Sequence, residues 1–88
     1  MMYPFNETKD GKFFIREFSQ DTPQDELVWH RDREDRIVEA THPTDWKVQL
    51  DEELPVSIDT PIFIKKEVYH RVVKGSENLI IKLQKLND

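Results

Sequence analysis

No cysteine occurs in the 88 residues, so the chain has neither a disulfide nor a thiolate to offer, and any metal must be held by His, Asp or Glu. A cytoplasmic setting is compatible with that absence and is the expected location. Long apolar runs are also missing. None exceeds three residues, as at 13–15, 62–64 and 79–81, whereas about 20 are needed to cross a bilayer. No membrane span is expected, and the charged opening lacks the apolar core of a signal peptide. With two glycines there is no glycine-rich phosphate loop. Basic charge is in deficit, 13 Lys and Arg against 18 Asp and Glu, for a net charge of -5. That balance argues against nucleic acid as a partner, because phosphate neutralisation needs clustered cations.

What is present suffices for one modest core. Hydrophobic residues make up 36% and aromatics 10% of the chain, and no linker, repeat or low-complexity stretch divides it, so residues 1–88 are read as a single domain. Short β-rich runs recur between turn signals at 12–18, 26–32, 36–41, 46–51, 56–58, 62–64, 68–74 and 79–86. Trp46, Val48 and Leu50 alternate with Lys47, Gln49 and Asp51, and Leu79, Ile81 and Leu83 share a face opposite Lys82 and Gln84. Asp10-Gly11 is a turn pair before the first run and the stretch 75–78 marks a hairpin, while 22–26 could also open one helical turn. The pattern predicts an all-β fold, a small antiparallel barrel or jelly roll.

Side chains alternate across a strand, so His30 and Asp32 share a face with Val28, leaving Trp29 and Arg31 on the other. His70 shares a face with Val68 and Val72. If both faces point inward, His30, Asp32 and His70 form a two-histidine, one-carboxylate set that suits a divalent metal such as Fe, Mn, Ni or Zn. An alternative needs no metal: Arg36 pairs with Asp32, and the histidines are hydrogen-bonded polar residues around a small-molecule pocket. Arg36 could equally steer an anionic ligand. Trp46 is the candidate to stack on that ligand, against a role in the core. The charged run 31–36, taken alone, reads as a solvated turn, and His42, before a proline, as exposed. His30-Arg31-Asp32 spells the kinase catalytic tripeptide, but no Asn follows at the required spacing. Outward apolar surface from Leu27, Trp29 and the strand around Phe13 and Phe14 suggests a homodimer.

Two segments resemble the paired motifs of the cupins. Val28-Trp29-His30-Arg31-Asp32 followed by Arg36-Ile37-Val38-Glu39 is similar to the first, in which ligating residues stand two apart on one strand. The stretch from Ile62 to Val72, with His70 opening a strand after a tight turn, is similar to the second. The fifteen residues 44–58 match the short spacing of minimal cupins. The resemblance implies a jelly-roll barrel with a metal or polar ligand site inside, and activities ranging from oxygenase or isomerase to non-catalytic binding or regulation. Asp32 stands where the family has its second His, and Arg36 or Ile37 where it has a ligating Glu, which leaves at most three protein ligands. Asp59, Lys65, Glu67 and Lys74 replace the second motif's usual Gly, Pro, Gly and Asn.

Overall fold

Strict alternation becomes strand wherever one face has a core to cover. In the computed structural model, which describes residues 3–86, eight strands form in chain order. They are β1 (Asn6–Asp10), β2 (Phe13–Phe18), β3 (Asp35–Ala40), β4 (Lys47–Leu50), β5 (Val56–Ser57), β6 (Ile62–Ile64), β7 (His70–Val73) and β8 (Leu79–Leu86). All pairings are antiparallel. One sheet has the order β1-β2-β8-β3-β6 and the other β5-β4-β7, so the fold is all-β with two sheets enclosing the core. The only helical element among the described residues is a single 3-10 turn, Gln24–Glu26, and no helix there is long and apolar enough to cross a membrane.

The core is the inward set of these alternations: Leu79, Ile81 and Leu83 from β8, Val38 and Ala40 from β3, Val48 from β4 and Ile64 from β6, with Trp46, Ile58, Phe18 and Leu27, the last of which turns inward instead of supplying the outward surface expected of it. Arg36 occupies the next inward position of β3 below Val38, so the same alternation that builds the core carries a guanidinium into it. Phe14, Arg16 and Phe18 are the inward series of β2, opposite Leu83, Ile81 and Leu79.

Two expectations change. The run 26–32 is not a strand, since residues 27–34 pair with the sheets only through a bridge between His30 and His70. One local side-chain bond and one bond to a distant turn replace the ladder there: the Val28 carbonyl accepts from the His30 ring, and the Asp32 carbonyl accepts from the Glu67 amide. Conversely, β1 was invisible to hydrophobic periodicity because every one of its residues is exposed, and it is held as an edge strand by β2. The hairpin joining them turns on Gly11, whose φ of 62° suits the leading position of a two-residue loop.

Two turns generate predictions. Gly75 lies so close to β4 that a Cβ would stand 2.7 Å from the Trp46 amide nitrogen and nearer still to Asp45 Oδ1 and Trp46 Cδ1. Gly75→Ala is therefore expected to destabilise the fold by about 2 kcal/mol or more, measured by urea unfolding. Glu67 adopts a φ of 66°, the left-handed region that costs an L residue about 1–2 kcal/mol. Glu67→Gly should raise stability by about 0.5–1 kcal/mol after the extra chain entropy of glycine is charged against it. No gain in the urea midpoint would show that the turn is not strained.

Candidate metal centre

Backbone pairing, not proximity in sequence, brings the two imidazoles together. The His30 amide donates to the His70 carbonyl at 2.9 Å and the His70 amide to the His30 carbonyl at 2.8 Å, so the residues sit directly opposite and their side chains leave the same face. Their ring centroids are 4.3 Å apart with the planes inclined at 60°. His70 is buried, and His30 is the most exposed of the site residues.

Each ring is oriented by the backbone carbonyl two residues before it. His30 Nδ1 lies 3.0 Å from the Val28 carbonyl and His70 Nδ1 2.8 Å from the Val68 carbonyl. A carbonyl oxygen can only accept, so both Nδ1 atoms carry the proton, and in the neutral rings both Nε2 atoms are left with a lone pair. This is the arrangement that fixes a histidine for metal ligation through Nε2.

Asp32 completes the group, and its two oxygens are divided. Oδ1 is 3.3 Å from Arg36 Nη1, and Oδ2 is 3.1 Å from His70 Nε2. Oδ2 is buried with no hydrogen-bond donor of its own, an orphaned acceptor facing another acceptor. Arg36 Nη2 reaches Glu34 Oε1 at 3.5 Å. The loop that carries Asp32 is pinned by the 65–67 turn, where the Glu67 amide bonds the Asp32 carbonyl and the Lys66 amide bonds Asp35 Oδ1, each at 2.7 Å.

His30, Asp32 and His70 thus each present a ligand atom, all within 4.8 Å of one another. This donor set, two imidazoles and a carboxylate without sulfur, fits a divalent first-row metal. Burial, aided by the neighbouring His70, holds His30 below the usual imidazole range, so the ring is neutral near pH 7. Burial works to raise Asp32, but a hydrogen bond from His70, available when Nε2 also carries a proton, and then Arg36 outweigh it and hold the carboxyl below its usual range.

A cavity of about 80 Å³ adjoins the group, walled by His30, His70 and Arg36 together with apolar side chains from both sheets. Arg36 is where the sequence placed it, inside and paired to Asp32. Trp46 is not in the cavity wall. It is wholly buried, packs on Phe18 at 5.8 Å between ring centroids, and donates its indole N–H to the Glu77 carbonyl. Its inward position in the alternation leads to the core, with no open face for a ligand to stack on. His42 is not fully exposed either, because its Nε2 accepts from the Ile80 amide at 3.0 Å. Arg16, which also lines the cavity, was missed. The signal was available in the alternation Phe14, Arg16, Phe18, which phases Arg16 with two aromatic core residues.

Acid should therefore loosen the metal-free protein in two stages. Both His30 and Asp32 have pKa values lowered by folding, so the unfolded chain binds more protons and stability is lost as pH falls. The His30 contribution goes first, below its ordinary value of 6.5, and that of Asp32 below 3.8. Thermal midpoints followed from pH 7 to pH 3 should show both declines, and His30→Gln should flatten only the first. Asp32→Asn, which strips the main countercharge from a buried guanidinium, should cost about 3 kcal/mol at pH 7.

No protein-family model matches the chain, and no curated protein matches it closely enough to count as a relative. Solved structures do match in shape. A protein from Neisseria meningitidis superposes with a TM-score of 0.60 at 14% identity over 99% of this chain and 87% of its own. A "putative mannose-6-phosphate isomerase" from Ralstonia eutropha gives 0.61 at 12% identity over 96% and 83%. A cupin-2 domain containing protein from Shewanella frigidimarina gives 0.57 at 15% identity over 98% and 83%. With antiparallel strands enclosing an inward-facing histidine and carboxylate group, the chain is a small domain of the cupin fold.

Proposed function

We propose that this cupin-fold domain holds one divalent metal ion between His30 Nε2, Asp32 Oδ2 and His70 Nε2, and offers it to a small molecule in the adjoining cavity. The observation that carries the reading is the contact between His70 Nε2 and Asp32 Oδ2 at 3.1 Å. With the Nδ1 proton committed to the Val68 carbonyl, a neutral ring brings one lone pair against another. Such a contact is stable only with a cation between the two atoms, either a further proton or a metal.

Three protein ligands would leave coordination positions open. A metal bound there would supply Lewis acidity or a site for dioxygen, the chemistry of isomerase-type and oxygenase-type cupins. Of the metals that suit this set, Fe(II), Mn, Ni and Zn, the donors favour none by hardness alone. Arg36 keeps Asp32 ionised and aims one of its oxygens, while the Val28 and Val68 carbonyls hold the rings in the ligating tautomer.

A metal-free reading has its own support. Arg36, Asp32 and a doubly protonated His70 would form a closed ionic network, and the pocket would then serve binding or regulation without catalysis. Titration of Zn and Fe(II) into chelator-treated protein separates the two. The metal reading expects one equivalent bound and a raised thermal midpoint, both lost in His70→Ala and His30→Ala. Protein that takes up no metal under these conditions, with His70 Nε2 protonated by nitrogen NMR, would establish the ionic network instead.

A further inference from the structure

Arg16 stands in the cavity wall outside the proposed metal centre, and its guanidinium is prepared but only partly used. Glu7, opposite it on β1, accepts from Nε at 2.6 Å, and the Phe5 ring lies 4.2 Å from Cζ. Phe5 is itself backed by Phe18 at 5.3 Å between centroids. A planar group clamped by a carboxylate on one edge and a ring on one face has little freedom left, and among the described residues no acceptor engages its two Nη groups. The side chain is only 15% exposed. Arg36 differs, because both of its Nη groups already face carboxylates, on Asp32 and Glu34.

We infer that the cavity takes a short organic monocarboxylate, with its carboxylate bound by the Nη edge of Arg16 and its other end toward His30 and His70. Two in-plane N–H groups of a guanidinium match the two oxygens of a carboxylate, a pairing that a lone donor such as the Arg36 Nε cannot make. Glu7 already neutralises part of the Arg16 charge, so the remaining field suits a monoanion better than a phosphate dianion. The ligand body meets apolar wall. Arg16 lies opposite Ile81 and Arg36 opposite Lys85, and the inward residues of β8 along that stretch are Ile81 and Leu83. Size sets the chain length: about 80 Å³ is less than the roughly 150 Å³ that admits benzene, which leaves room for a few carbons.

This assignment rests on the cavity being a ligand site but not on the metal, and the test separates the two. Propionate and butyrate, their amides, and inorganic phosphate are titrated into the full chain by calorimetry, with and without Zn. Both carboxylates should bind, and the amides and phosphate should bind at least about tenfold more weakly. Arg16→Gln should weaken the carboxylates by about ten- to a hundredfold without changing Zn uptake. Arg16→Lys, which keeps the charge and loses the fork, should recover only part, and it carries the test should the Gln variant fail to fold. Equal binding of acids and amides, preference for phosphate, or an unaffected Arg16 variant would overturn the assignment. Carboxylate binding that appears only with Zn and vanishes in His70→Ala would place the acid on the metal and overturn it as well. Failure of Zn to bind while carboxylates still do would remove the metal reading and leave this one standing.

Discussion

Two hydrogen bonds between His30 and His70 hold the candidate centre together, and little else ties the 27–34 segment to the smaller sheet. Because the pair exchanges both amide bonds, the side chains must leave one face at close range, and because Asp32 follows two residues on, its carboxylate is delivered to the same place. A regular strand through this region would have spread its bonds along the segment. Instead one anchor point and the backbone contacts from the 65–67 turn fix three side chains from two distant parts of the chain. The strained φ at Glu67 belongs to that arrangement, since the amide it presents is the one that binds the Asp32 carbonyl.

The second constraint is electrostatic. A guanidinium inside a small barrel is tolerable only with a carboxylate against it, and Arg36 has Asp32 at 3.3 Å with Glu34 beyond. Together with His70, the pairing holds the Asp32 carboxyl below its usual range against the opposing effect of burial, and it uses up only one oxygen. The other is left aimed at a histidine whose opposite nitrogen is already engaged. Charge placed for stability thus leaves a defined deficit of positive charge at one point. A cavity with Arg16 on its wall adjoins that point.

On the outer surface of the same segment the alternation runs the other way. Trp29 and Tyr69 point outward, each carrying an arginine over its ring, Arg71 at 4.8 Å and Arg31 at 5.3 Å from the centroid. These cation–π contacts lie over two exposed aromatic rings, of which Trp29 is one the sequence suggested for a dimer surface, while His30, Asp32 and His70 turn in.

Residue alternation by itself determined most of the architecture. The period of two in 46–51 and 79–86 made them strands and the inward phase of β3 made Arg36 internal, because each is a local consequence of a pleated backbone, while the spacing of His30, Asp32 and His70 nominated the donors although 26–32 is not a strand. Three things were decided only by the tertiary structure. β1 exists because β2 offers an open edge, a cause that its polar sequence cannot express. Residues 26–32 gave up a strand because side chains and a distant turn took their backbone partners. Trp46 went to the core and Arg16 to the cavity wall, although both occupy inward positions, because alternation selects a face, and only the packing of one sheet on the other decides which part of that face meets protein and which meets open space.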